Sequence, residues 1–468
     1  MTKGQREQRT LPGALSSRAK AARRAELAGA PKNQPLRGAL PRASWFSRAR
    51  DVALGAHFPK ITGGADPCLF GTVFALIMLG VVMVYSASSV TAVRMFGDGH
   101  HFFVRQAIYA AVGLPVMLVL ARFDYHRLRG LGLWALFGAG SLLLAVVLGA
   151  GRNAGGAARW IQLGPINIQP AEVTKVALIL WLSESLAKKS AKIRSFEVGF
   201  LPHVIVVAGL VGLCMAQPDF GSSVVLVLLT FVLLFVAGVK LGYMLVAAAV
   251  GLPLVYVALR FESYRWQRIV AFLDPFKHRM TGGYQIVESW YSFGAGGLYG
   301  VGLGDSRQKL LFLPEAHTDF IAAIVAEELG FIGFSLLVLG FVIVILRGLS
   351  AAFRAPEAHG MYLGIGLTLF IGVQAMTNLA VVLGLLPTKG LTLPFLSFGG
   401  SSLLVNCAAV GILLNVSRPR VRSADDTEAE PLFAGLALGF GQPKSRASNP
   451  RVRKPELGAS LTAERGVQ

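Results

Sequence analysis

Acidic side chains are scarce in this chain of 468 residues: 25 Asp and Glu stand against 45 Lys and Arg, and charged residues of both signs make up only 15%. With 54% apolar residues and a mean hydropathy of +0.58, that shortage excludes a soluble domain, which could not hide so much apolar surface. Cysteine is rare as well. Cys68, Cys214 and Cys407 fall in or beside apolar runs and share no metal-ligand spacing, which excludes a disulfide framework and leaves them as packing residues. No cleavable signal peptide is expected, because about sixty polar and basic residues precede the first apolar run, so that run reads as an anchor.

What is present is a series of apolar windows, each close to the length needed to cross a bilayer as a helix. They fall at residues 69–87, 103–121, 131–150, 173–186, 201–216, 222–239, 241–259, 321–346, 361–385 and 398–416. The expected fold is therefore an all-α polytopic membrane protein of about ten transmembrane helices, with one large extracytoplasmic loop between helices 7 and 8.

A net charge of +20 invites a nucleic-acid reading, but its location argues against one. Thirteen Lys and Arg lie in residues 1–60 against three acids, and basic segments beside a first span hold that end in the cytoplasm against anionic lipid. The short loops agree: Arg122, Arg127 and Arg129, then Lys188, Lys189, Lys192 and Arg194, then Arg347 and Arg354 all fall on the inner side. Three regions follow. Residues 1–64 read as a basic, disordered cytoplasmic tail, 65–417 as the membrane domain, and 418–468 as a second disordered cytoplasmic tail. The run 431–440 is too short to span.

The loop at residues 260–319 is long enough to be functional and too rich in aromatics to be unstructured. It also carries Arg265, Arg268, Lys277, Arg279, Arg307 and Lys309 on the outer face, against the usual charge bias. A diphosphate-bearing substrate would explain them through charge-assisted contacts to phosphate oxygens. The loop ends in Leu313-Pro314-Glu315-Ala316-His317-Thr318-Asp319-Phe320, at the mouth of the eighth apolar run. Desolvation there would push the Asp319 pKa upward, toward the range of a general base for a sugar hydroxyl. The competing reading is an N-cap for the eighth helix, a role Asp319 or Thr318 would serve.

Glu315 and His317 flank this acid and are candidates to tune it or bind sugar. Glu172 and Lys175, three apart at the start of the fourth span, share a helix face and either form a structural ion pair or orient a diphosphate together with Arg159. Arg265 and Arg268 compete for that role. Glu327 and Glu328, about 12 Å along the eighth helix from Asp319, are expected to face a hydrated cavity. The Gly and Pro content of residues 389–402 predicts a broken or re-entrant backbone, with Lys389 at its outer edge as substrate contact or interfacial anchor.

Seven segments in series, across about residues 65–417, resemble the SEDS family (shape, elongation, division and sporulation). They are Ala157-Ala158-Arg159-Trp160-Ile161, Gln169-Pro170-Ala171-Glu172-Val173-Thr174-Lys175, Gln217-Pro218-Asp219-Phe220-Gly221, Phe272-Leu273-Asp274-Pro275, Gly283-Tyr284-Gln285, Pro314 to Phe320, and Lys389 to Ser402. Lys389-Gly390 resembles the family's division member more than its elongation member, and Phe398 stands where many relatives have tyrosine.

The resemblance implies a peptidoglycan glycosyltransferase that polymerises lipid II, the undecaprenyl-diphosphate-linked disaccharide pentapeptide, at the division septum of the bacterial inner membrane. It implies work with a class B penicillin-binding protein and other division proteins, an essential acid at Asp319, and no nucleic-acid role. Ser397, inside the last segment, joins the substrate-binding candidates. No cofactor is required by these residues and no acid cluster has metal-like spacing, though a divalent cation such as Mg or Mn stays open. A lipid II flippase and a non-catalytic division scaffold are the alternatives.

Overall fold

The computed structural model describes residues 61–420 except 155, 156, 165, 262, 281 and 311. These residues belong to one compact unit, His57–Gln468. Most of both expected tails, including residues 431–440, lies outside the described residues.

Helices occur at all ten apolar windows: α1 Pro67–Phe96, α2 His101–Arg122, α3 Leu131–Ala145, α4 Pro170–Lys188, α5 Leu201–Ala216, α6 Phe220–Val236, α7 Leu241–Phe261, then α10 Ile321–Phe353, α11 Ala358–Val382 and α12 Gly400–Val416. Seven helical stretches among the described residues are long and apolar enough to cross a membrane. The others fall short for visible reasons. α6 and α12 have 17 residues each, about 26 Å of helix, and α4 carries Glu172, Lys175, Glu184 and Lys188.

Local chemistry sets the ends. Pro67 fills the first turn of α1, where no hydrogen bond is lost, and Asp66 caps it by accepting from the amides of Cys68 and Leu69 at 3.0 and 3.1 Å. Gly97, at φ 73°, stops α1 in the left-handed conformation that glycine adopts without steric cost. α11 is the central helix, buried along most of its length and packed against α4, α6, α9 (Tyr284–Gly296), α10 and α12. α7 is peripheral and packs on α8 (Ser263–Leu273).

Two features were not in the expectation. Residues 152–168 form a three-stranded antiparallel meander, β1 Arg152–Ala154, β2 Ala157–Leu163 and β3 Ile166–Ile168, with Arg152 opposite Trp160 and Ile161 opposite Ile168. The segments flanking the described region also meet: Thr62 N–H donates to the Pro419 carbonyl at 2.9 Å, and Asp66 N–H donates to Ser417 Oγ at 3.0 Å. Residues 61–64 and 418–420, assigned to the tails from sequence, are therefore part of the fold.

The long loop between α7 and α10 is built rather than loose. It contains α8 Ser263–Leu273 and α9 Tyr284–Gly296, the latter packed on α10 and α11. Its next stretch is laid against a break in α10 at Gly330 (φ 68°). There Val301 and Gly302 donate to the carbonyls of Glu327 and Glu328, and Phe331 and Ile332 donate to those of Gly297 and Leu298. Gly300 makes this approach feasible, since a Cβ there would stand 2.1 Å from the Glu328 carbonyl oxygen.

Glu327 and Glu328 do not face a hydrated cavity. Both are buried, Glu327 accepting from Ser306 Oγ and from Arg307 N–H at 2.9 Å. Glu328 accepts from Ser86 Oγ on α1 at 2.6 Å and pairs with Lys309 at 3.2 Å. Buried carboxylates need such partners, and the loop and α1 supply them.

Candidate active site

The acidic segment closes on itself before α10 begins. Glu315 sits in the left-handed region at φ 57°, and its carbonyl accepts from Thr318 N–H and Phe320 N–H, both at 3.2 Å. Thr318 Oγ1 donates to Glu315 Oε2 at 2.7 Å. The N-cap position of α10 belongs to Phe320, with no side-chain cap bond, so neither Asp319 nor Thr318 serves as the cap.

What holds the segment is a set of three consecutive backbone carbonyls, each pinned from the other side of the site. His317 O accepts from Phe398 N–H at 2.9 Å, Thr318 O accepts from Ser397 Oγ, and Asp319 O accepts from Asn378 Nδ2 at 2.7 Å. Ser397 Oγ in turn accepts from Leu393 N–H at 2.8 Å, and Asn378 Nδ2 also donates to Leu391 O at 2.7 Å. Residues 391–398 can reach this position because they dip into the bundle: Leu393, Phe395 and Leu396 are buried, and Phe395 takes φ 68°. A Cβ at Gly80, about 20 Å along α1, would stand 2.4 Å from the Phe395 carbonyl oxygen. The re-entrant backbone expected from the Gly and Pro content is present.

Among the described residues nothing bonds the Asp319 side chain, and its Oδ2 lies 3.5 Å from where a Cβ on Gly390 would stand. Burial, followed by the charge of Glu315, raises its pKa to about 7 against the opposing pull of Arg268 and Arg159. A carboxylate at that value is half ionised near neutral pH, the condition that favours general base catalysis. His317 is wedged between Phe102 and Phe398, with ring centroids at 4.6 and 5.9 Å, and burial lowers its pKa, which keeps the imidazole neutral. Phe398 meets Phe102 edge-on at 5.0 Å, which fixes its ring beside His317.

The candidate cations separate. Arg159, on β2, donates to the carbonyls of Gln217 and Pro218 at 3.2 and 2.6 Å, and its charge acts on Asp319. Arg268, on α8, donates to Thr388 O at 3.2 Å and also acts on Asp319. Arg265 is buried and donates to Ala258 O at 3.1 Å. Lys389 lies beside Gly390 with its Nζ 5.4 Å from the Phe220 ring centroid. Burial lowers its pKa, and among the described residues no carboxylate pairs with it.

Glu172 and Lys175 pair with each other. Their ion pair, 2.6 Å long with 5% and 0% of the side chains exposed, is completed by Gln374 Nε2 at 3.1 Å and the Phe370 ring at 5.7 Å. Of the two readings the spacing left open, the ion pair is present, and through Gln374 it joins α4 to α11. Asn378 was missed by sequence reasoning. An Asn inside an apolar helix is a visible anomaly, but its two acceptors are 59 and 13 residues away. Among the described residues no group of three or more His, Cys, Asp or Glu could hold a metal ion.

Fold and site together define a polytopic α-helical membrane protein with a carboxylate of raised pKa at one mouth of its bundle. Residues 67–422 match the family model FTSW_RODA_SPOVE, described as cell cycle protein, and the chain belongs to that family. Its relatives include a probable peptidoglycan glycosyltransferase FtsW of Geobacter sulfurreducens, 45% identical over 73% of this chain and 92% of the relative. Another is the stage V sporulation protein E of Bacillus subtilis, 40% identical over 76% of this chain and 98% of the relative. Among solved structures the fold is similar to a chain of a peptidoglycan synthase complex that coordinates polymerization and crosslinking, with a TM-score of 0.63, 29% identity and coverage of 75% and 97%. It is also similar to the rod shape determining protein RodA of Thermus thermophilus, with a TM-score of 0.56, 29% identity and coverage of 77% and 98%.

Proposed function

We propose that this chain is a peptidoglycan glycosyltransferase that joins lipid II units into glycan strands, with Asp319 as general base. The observation that carries the reading is the Asp319 carboxylate: unbonded among the described residues, held near pKa 7, and fixed through its backbone by Asn378 in a segment that Ser397 and Phe398 also pin. Asp319 takes the proton of the acceptor sugar's 4-hydroxyl as that oxygen attacks the anomeric carbon of the donor. The new glycosidic bond forms as the bond from that carbon to the lipid diphosphate breaks, and the leaving diphosphate carries away the electron pair with inversion at carbon.

The charge that develops on the diphosphate calls for cations in place before the step. Lys389 is the best placed to meet it, because no carboxylate of the described residues engages it and it already lies half-buried beside the Phe220 ring. Arg268 and Arg159 contribute field from more constrained positions. The same reading puts ten helices across the bacterial inner membrane at the division septum, both termini in the cytoplasm, with a class B penicillin-binding protein as crosslinking partner. That pairing is supported by the similarity to a chain of a peptidoglycan synthase complex.

The test is polymerisation of lipid II by the purified chain in detergent with its partner added. Detergent removes any two-sided membrane, so polymer formed there is transfer chemistry and not translocation. Failure of the wild-type pair to make glycan, or glycan made equally well by Asp319→Asn, defeats the proposal.

A further inference from the structure

At the opposite pole from Asp319, α1 begins, α2 ends and α12 ends, and between them lies a cleft of about 270 Å³. Its walls are apolar: Phe70 from the first turn of α1, Leu118 and Ala121 from the last turns of α2, and Leu414 from the last turn of α12. Its rim carries two cations, Arg122 and Arg418. Arg122 is exposed and, among the described residues, has no hydrogen-bond or ion-pair partner. Arg418 uses its Nε on the Gly63 carbonyl at 3.3 Å, which leaves its terminal nitrogens for other acceptors.

The acid in the lining, Asp66, does not cancel these charges. Its Oδ1 accepts from the amides of Cys68 and Leu69, and its Oδ2 pairs with Arg347 through Nε at 2.8 Å. With that carboxylate matched, the rim holds two positive charges above an apolar trough, at the depth where helix ends meet the lipid headgroups. Free phosphate fits the rim alone, and an acyl chain fits the trough alone. A ligand that unites the two satisfies both.

We propose that this cleft is a binding site for an anionic phospholipid, with the phosphate between Arg122 and Arg418 and one acyl chain along Phe70, Leu118 and Leu414. The site is independent of the reading of Asp319, since none of its residues belongs to that site. By clamping the first turn of α1 to the ends of α2 and α12, the lipid would bind where the chain also joins residues 62–66 to 417–419.

The test uses the full chain in detergent and native mass spectrometry with dioleoyl phosphatidylglycerol, dioleoyl phosphatidylcholine or soluble glycerol phosphate. Phosphatidylglycerol should be retained over phosphatidylcholine. Arg122→Gln and Arg418→Gln should each weaken that retention about fivefold, the equivalent of about 1 kcal/mol per cation near a headgroup. Arg127→Gln, at the same pole but outside the cleft, should leave it unchanged. Leu118→Trp, which fills the trough with the charges intact, should also weaken it, and glycerol phosphate at equal concentration should not displace the lipid.

Equal retention of the two lipids overturns the proposal, as does an Arg127→Gln loss equal to that of Arg122→Gln, which would mean a diffuse surface potential. Full displacement by glycerol phosphate would mean a phosphate site without a lipid. If neutralising Asp425, Asp426, Glu428 and Glu430 raises lipid retention while the two arginine changes leave the wild type's retention unaltered, the chain's own acidic stretch is the occupant and the proposal fails.

Discussion

Replacing Asp319 with Asn keeps the shape of the side chain and removes both its charge and its basicity. Loss of a general base costs about 10²- to 10⁴-fold in rate, so glycan synthesis from lipid II should fall by at least about a hundredfold with the partner present. The pH dependence makes the wild-type prediction sharper. With a pKa of about 7, roughly nine-tenths of the carboxylate is ionised at pH 8 and roughly one-tenth at pH 6, so the initial rate should drop about tenfold across that interval. An acid at its ordinary value of 3.8 would change by less than about 1% over the same range.

Stability should move the other way. The unfolded chain releases this proton near pH 4 and the folded chain near pH 7, so between these values the folded state binds more protons and stability falls as pH rises. Above pH 7 the ionised group costs the fold up to about 4 kcal/mol, three pH units at about 1.4 kcal/mol each. Asp319→Asn should therefore melt above the wild type at pH 8, with the gap closing toward pH 5. Initial rates on lipid II and detergent melting curves read both effects. A flat rate between pH 6 and 8, or a variant that melts lower at pH 8, would refute the reasoning.

The remaining predictions test the supports of that acid. Asn378→Ala releases the carbonyls of Asp319 and Leu391, about 1 kcal/mol for each bond, and should lower kcat at least tenfold with little change in KM. Lys389→Ala should reduce kcat/KM by about ten- to a hundredfold, the worth of a charge-assisted contact, while the melting temperature holds. Lys175→Met leaves Glu172 buried beside Gln374 without a counter-charge, so it should lower the melting temperature and leave KM for lipid II unchanged. Glu328→Gln strands Lys309 in the same way and should cost about 3–5 kcal/mol in a melting assay, with Glu328→Gln/Lys309→Met recovering part of the loss.

The ten helix positions and the candidate acid were legible in the sequence, because both follow from local chemistry. An apolar window of bilayer length has few alternatives to a helix, and an acid at the mouth of such a window is conspicuous at once. The meander at 152–168 left a trace in the alternation of Trp160-Ile161-Gln162-Leu163 before a Gly-Pro turn, a hairpin signal that short strands make easy to pass over. The partners of Glu327 and Glu328 left none, since a buried carboxylate shows only that it needs donors, and Ser86 is 242 residues from Glu328.

Sequence alone therefore determined that this chain lives in a membrane, where its helices run and which acid to suspect, since each is a property of a contiguous stretch of residues. Tertiary structure decided which charges serve one another. It tied Lys175 to Glu172 and Gln374, left Lys389 without a carboxylate among the described residues, and hung Asp319 from Asn378 and the re-entrant segment. Those choices depend on distances between residues far apart in the chain, and a side chain's charge becomes chemistry only once the packing around it has fixed its partners and its access to water.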